Sequence, residues 1–225
     1  MYLANCTRPD ISYAVTRLSR YTSCPDRTHW KGLDRVLRYL KGTISLSLHY
    51  GKYPSVLEGY SDASWIAQNS GSNGVSGYIF TFGGGAIAWR SEKQTILSRS
   101  TFEAELCALD TTGLEAEWLR GLLSEIPLMK KPVLVISVHC DSMTTIAKIK
   151  SSKYNQKQRR HVQVRLKSVR ELVSQGVIAV DFIGTKENTA DPLTKGLNAN
   201  QVQFFRLGMR LKPFENSTIA GTQPI

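Results

Sequence analysis

Cysteine is rare in this chain of 225 residues: Cys6, Cys24, Cys107 and Cys140 stand alone, with no CxxC pair. Neither a zinc cluster nor a secreted disulfide framework is indicated, and Cys107 and Cys140 read as small buried hydrophobes in a reducing compartment. No apolar run approaches the ~18 residues of a membrane helix. Met1 is followed by Tyr-Leu-Ala-Asn-Cys, without a basic or a sustained apolar region, so no signal peptide is read, and the chain is expected to be a fragment. Acid is also scarce. Against 29 Lys+Arg there are 18 Asp+Glu, a formal charge of +11, which points to a polyanion such as nucleic acid rather than a membrane. With 41% hydrophobic residues the chain can bury one good core and a small second unit.

Residues 1–50 carry two helical patterns, Ile11, Ala14, Val15, Leu18, Tyr21 and then Trp30, Leu33, Val36, Leu37, Leu40, separated by Pro25. The second places Lys31, Arg35 and Arg38 on an outer basic face. From residue 56 the period changes to that of strands, at 56–64, 75–82 and 86–90, joined by turns at 69–74 and Gly83-Gly84-Gly85. A long helix is expected over about 101–125, a strand at 133–140, a short helix from Ser142, a helix near 163–174, a strand at 177–183 and a helix after Asn188. An antiparallel meander followed by crossover strands implies an α/β fold, a mixed sheet with helices on its faces. Beyond Phe214 the polar tail is expected to fray.

Four isolated acids carry the chemistry. Asp62 interrupts the first strand, where a carboxylate is costly to bury without a cation; a surface acid on an edge strand is the bland alternative. Glu105 heads the stripe 105, 109, 112, 116, 119, 123 of the long helix, whereas Glu103 completes a capping box with Ser100. Asp141 ends the apolar strand, where it competes with an N-cap role, and Asp191 precedes Pro192, where an N-cap is again the rival. Carboxylates on a strand, a helix, a strand end and a helix start could together hold two Mg²⁺ ions about 3.5 to 4 Å apart, a nuclease arrangement.

Between Ser142 and Arg170 no Asp or Glu occurs, while nine basic residues do: Lys148, Lys150, Lys153, Lys157, Arg159, Arg160, Arg165, Lys167 and Arg170, with His161 among them. This run reads either as a solvated face or as a surface that holds a duplex. Arg99, Ser100 and Thr101, at the start of the long helix, could receive a phosphate through free backbone N–H groups.

The segments GYSDASW, SGYIFTFGGGAIAWRSEKQTILSRSTFEAEL, HCDS, RRHVQVRLKSVRE and ENTADPLTKGL resemble the ribonuclease H domain of copia-type LTR retrotransposon Pol polyproteins, over roughly residues 56–200. The head, RPDISYAVTRLSRYTSCPDRTHW with RVLRYLKGT, resembles the end of the preceding reverse transcriptase. The resemblance implies a ribonuclease H-like five-stranded mixed sheet flanked by helices and preceded by a small helical segment. By position it makes Asp62, Glu105, Asp141 and Asp191 the catalytic, metal-binding set for two Mg²⁺ ions, with Mn²⁺ as a substitute. It implies cleavage of the RNA strand of an RNA–DNA hybrid, with Arg99, Ser100, Thr101, Lys157, Arg159, Arg160, His161 and Arg165 on the nucleic acid.

It divides the chain into 1–50, the last reverse transcriptase helices; 51–198, the ribonuclease H domain; and 199–225, a short helix and flexible tail. Partners are then the hybrid and the upstream reverse transcriptase region, inside the cell, in cytoplasmic virus-like particles or the nucleus. Two family features are missing: FIGTKENTAD has no histidine before the last acid, and no YxDD polymerase motif occurs. The alternatives are a non-catalytic nucleic-acid-binding remnant of a decayed or host-adopted element, and an integrase or resolvase sharing the fold.

Overall fold

The computed structural model describes residues 1–51, 56–65, 73–151 and 159–214. The head holds α1 (Tyr2–Cys6), a 3₁₀ turn at Pro9–Ile11, α2 (Ser12–Ser19) and α3 (Arg27–Gly42). Asp26 starts α3 through a capping box: its carboxylate accepts from the Thr28 and His29 N–H groups, and the His29 ring accepts from the Asp26 N–H. Lys31, Arg35 and Arg38 are exposed as expected, but so are Trp30, Leu33 and Leu37 of the apolar stripe. Then come β1 (Leu46–Leu48), β2 (Glu58–Ser64), β3 (Val75–Phe82), β4 (Gly85–Lys93), α4 (Thr101–Glu125), β5 (Ile136–Cys140), α5 (Met143–Lys150), α6 (Arg160–Ser174) and β6 (Ile178–Phe182). A 3₁₀ turn at Asp191–Leu193, α7 (Ala199–Gly208) and β7 (Leu211–Pro213) close the described chain.

The five-stranded sheet runs β4-β3-β2-β5-β6, antiparallel through the meander and parallel from β2 to β5 to β6. This is the mixed sheet that the pattern and the resemblance implied. Alternation along β2 and β3 sends Tyr78 and Phe80 to one face and Tyr60 and Ile79 to the other. On the first face α4 and α6 pack through Leu106, Leu109, Leu119, Val169 and Leu172. On the second, Ile79 and Ala86 meet Ala190, Leu193 and Met209.

Three elements differ from expectation. The strand at 133–140 is ordered as a strand only over β5, where β6 is beside it as partner. The helix after Asn188 is a single 3₁₀ turn: the Thr194 hydroxyl bonds back to the Asp191 carbonyl, and a separate helix starts at the Asn198 capping box. The segment after residue 198 is more than a helix and tail, for β7 pairs antiparallel with β1, Leu48 opposite Leu211. The tail beyond Phe214, and the turn at 69–74 up to residue 72, lie outside the described residues.

The head is fastened to the sheet rather than tethered. The Trp89 indole donates to the Ala4 carbonyl at 2.6 Å, and Arg8, paired with Asp10 at 2.8 Å, reaches Thr43, while the Tyr39 hydroxyl donates to Asp10. No helix of the described residues is long and apolar enough to cross a membrane.

Candidate metal centre

β2 is the central strand, between β3 and β5, so Asp62 is not an edge acid; it is 3% exposed. Asp141 directly follows β5, the strand parallel to β2. The cap of α5 is Ser142, whose hydroxyl accepts from the Thr145 N–H, so the N-cap alternative for Asp141 falls. Asp191 is 4% exposed, and its side chain makes an ion pair with Lys195 instead of a cap. Glu105, 9% exposed, points from α4 towards the end of β2, where the Ala63 backbone N–H bonds it. Glu103 forms half of the expected capping box: its N–H donates to Ser100 Oγ, but its carboxylate accepts at 2.8 Å from the Arg99 N–H, one residue before the cap, rather than from the Ser100 N–H.

The four carboxylates act on one another. Burial pushes Asp62 up, to about 6, against the Thr194 hydrogen bond and Lys195, with Asp191 and Asp141 adding repulsion. Burial also pushes Glu105 up, followed by Asp62 and Asp141, and raises Asp191 despite Lys195. Glu105 Oε2 is buried without a hydrogen-bond partner. Donor atoms of Glu105, Cys140 and Asp141 lie within 4.8 Å of one another. Desolvated, mutually repelling oxygens with an unsatisfied lone pair suit a hard divalent cation such as Mg²⁺. The Cys140 thiol, pushed up to about 12 by burial and then by Glu105, stays protonated beside them and is a poor ligand for such an ion.

Second neighbours set this geometry, and sequence reading did not single them out. The Thr194 hydroxyl donates to Asp62, and the Thr185 hydroxyl to Asp141 Oδ2 at 2.9 Å. The buried Asn188 amide donates to the Ser61 carbonyl and its oxygen accepts from the Ala190 N–H, clamping the Asp191 loop to β2. Lys195 follows Asp191 by four residues, a spacing that could have flagged it.

Gly77 lets the Asp191 turn come this close. It stands opposite Asp62 in the sheet, and a Cβ there would lie 2.8 Å from both Leu193 Cβ and Thr194 Cγ2. Gly77→Ala is expected to displace the turn, break the Thr194–Asp62 bond and weaken Mg²⁺ binding on the order of 10-fold or more, with a cost of about 1–3 kcal/mol in stability. Calorimetric titration with Mg²⁺ beside a melting curve checks this; unchanged affinity would mean that the turn does not position the acids.

The basic residues are divided in their work. The Arg165 side chain is engaged with Asp110 at 3.4 Å in the α4–α6 seam, so the contact with nucleic acid expected of it is taken up by a protein partner. Arg170 donates to the carbonyls of Lys148, Ile149 and Ser151, closing the end of α5. Arg160 is exposed at the start of α6, with Arg159 and His161 partly exposed on either side. Lys153 and Lys157 lie outside the described residues. At the start of α4 the Arg99 N–H is not free, because Glu103 occupies it and puts a negative charge where a phosphate was expected; the Ser100 hydroxyl is likewise used in the cap. What remains there for an anion is the exposed Arg99 side chain and Thr101.

No protein-family model matches the chain. It is 39% identical over 204 residues to the retrovirus-related Pol polyprotein from transposon TNT 1-94 of Nicotiana tabacum, covering 91% of this chain and 15% of that protein. It is 36% identical over 207 residues to the corresponding polyprotein from transposon RE2 of Arabidopsis thaliana, covering 91% of this chain and 14% of that protein. A stretch of 120 residues, 53% of this chain, is 43% identical to the secreted RxLR effector protein 161 of Plasmopara viticola, covering 84% of that protein. The chain thus spans about one seventh of the Pol polyproteins it matches. Among solved structures, LC11-RNase H1 isolated from compost superposes with a TM-score of 0.47 at 14% identity, covering 63% of this chain and 94% of that one, a likeness so loose that it adds nothing to the strand order itself.

Proposed function

We propose, since this chain belongs to the retrovirus-related Pol polyproteins of transposons, that its five-stranded ribonuclease H-like part is a metal-dependent endonuclease cutting the RNA strand of RNA–DNA hybrids. The observation that supports this most is that Asp62, Glu105 and Asp191 are all buried and that Asp141, at the end of β5, bears electrostatically on each of them, although among the described residues only Glu105 and Asp141, with Cys140, form a group with donor atoms within 4.8 Å of one another. Burying acids against one another is costly, and a divalent ion is the economical reason to do so. In this reading residues 1–50 are the end of a copia-type reverse transcriptase, which with the hybrid is the natural partner, inside the cell.

Asp62, Glu105, Asp141 and Asp191 would hold two Mg²⁺ ions. When bound, such a pair supplies an activated water and charge stabilisation for the leaving oxygen of a phosphodiester. Thr194 and Thr185 hold Asp62 and Asp141 in one orientation before any ion arrives, and Asn188 fixes the loop that brings Asp191 in. No histidine stands in that loop, so none there can pass a proton to the leaving group.

Incubation with an RNA–DNA hybrid and Mg²⁺ should give internal cuts in the RNA strand, with double-stranded DNA left whole. Binding without cleavage would pass the chain to the non-catalytic reading, and cutting of DNA to the integrase or resolvase reading. Hybrid affinity should fall steeply with salt. Arg159→Ala with Arg160→Ala is expected to flatten the log–log salt slope by up to about two contacts. Arg165→Ala should leave the slope nearly unchanged and instead cost on the order of 1 kcal/mol of stability, because Asp110 loses its partner. Equal slopes for the double variant and the wild type would make Arg159 and Arg160 a solvated face only.

A further inference from the structure

We propose that Lys195 is the built-in counter-cation of the carboxylate cluster, a positioning residue that holds Asp191 in the metal-free protein and competes with divalent ions for it. The inference rests on the metal-centre reading above. The Lys195 ammonium is in ion-pair contact with Asp191 Oδ1, and the side chains are 42% and 6% exposed. A buried carboxylate is thus met by a cation reaching in from solvent. Lys195 bears also on Asp62 and Glu105, and Asp141 acts on it in turn. No other ion pair among the described residues reaches any of the four acids.

A surface pair of this exposure would contribute little to stability by itself. Its location gives it a different consequence. The oxygen that Lys195 occupies is one that Asp191 would offer to an ion, and an ammonium beside a divalent cation is repelled by it. Metal binding therefore has to displace Lys195. It has somewhere to go: Lys195 also borders a groove of 740 Å³ between α2, α3 and the Asp191 turn, with Tyr13, Asp26 and Pro192 on its walls. A rotation of the lysine stem into that groove frees Asp191 without moving the turn, which Thr194 and Asn188 keep in place.

The test is a double-mutant cycle of Lys195→Met and Asp191→Asn on the full chain, read by melting without metal and by calorimetric titration with Mg²⁺ alone. Lys195→Met is expected to melt lower than wild type without metal and to bind Mg²⁺ about 5- to 10-fold more tightly, the size of a modest coupling between sites. Lys195→Arg should keep both wild-type values, and both effects of Lys195→Met should vanish in the Asp191→Asn background. A purely structural lysine would lower the melting temperature equally with and without Mg²⁺ and leave its affinity unchanged; that result, or weaker binding by Lys195→Met, overturns the proposal while leaving the metal centre intact. If wild type and Lys195→Met both fail to bind Mg²⁺, the metal-centre reading falls and this inference with it.

Discussion

Glu105→Gln should abolish hybrid cleavage, by on the order of 10³-fold or about 4 kcal/mol of transition-state stabilisation, while Glu103→Gln remains active. The two acids lie two residues apart in FEAEL, and two residues advance a helix by roughly 200°, so only one can face the sheet. The structure separates them by environment. Glu105 is buried against the end of β2, with Asp62 and Asp141 acting on it and one oxygen unsatisfied. Glu103 accepts from the Arg99 N–H in the first turn of α4, a task that Gln can take over for a few tenths of a kcal/mol. Glu105→Gln should melt no lower than wild type without metal, because burial already disfavours the charge on Glu105 and Gln keeps its shape. Cleavage rates in excess Mg²⁺, with melting curves beside them, decide the matter. An inactive Glu103→Gln beside an active Glu105→Gln would move the metal site to the outer face of the helix.

The carboxylates were legible because burial leaves a periodic trace. Asp62 stands out against strand alternation, and the stripe through Leu109, Ala116, Leu119 and Leu123, all buried, gives the phase that places Glu105. What supports those acids was not legible. Thr185, Asn188, Thr194 and Lys195 act through the path of an irregular loop, and polar residues in loops have no period. The basic run illustrates a different limit: composition counts charges and cannot tell which already have partners. Arg165 belongs to Asp110 and Arg170 to the end of α5, both on elements distant in sequence. On α3 the apolar stripe was real, but periodicity cannot say whether a face is covered, and Trp30, Leu33 and Leu37 are exposed. The fastening of the head is equally invisible from sequence, since Trp89 and Ala4 are 85 residues apart and β7 is only three residues long.

Without metal, the melting temperature should fall as pH rises from about 5 to 9, and Mg²⁺ should reverse most of that fall. In the unfolded chain the carboxyls titrate near 4. In the folded protein Asp62 is held up at about 6, Glu105 higher still and Asp191 also above its ordinary value, in each case chiefly by burial. Below about pH 4 both states are protonated and the site contributes no pH dependence. Above it the unfolded chain gives up protons that the folded protein keeps, so unfolding becomes progressively easier, until the pH passes the raised values and the loss levels off. Mg²⁺ binds the ionised carboxylates, so its apparent affinity rises over the same window and binding releases protons. At about 100 times its dissociation constant it adds roughly 2.7 kcal/mol, or about 5 to 10 °C for a chain of this length. Asp62→Asn removes one of the repelling charges and a ligand together, so it should show a flatter metal-free profile and a smaller Mg²⁺ shift. Taking the difference between wild type and Asp62→Asn at each pH cancels the titration of the rest of the molecule. A difference that does not change from pH 5 to 9, or a Mg²⁺ shift equal in the two proteins, would mean that these acids are not strained by one another and do not share an ion.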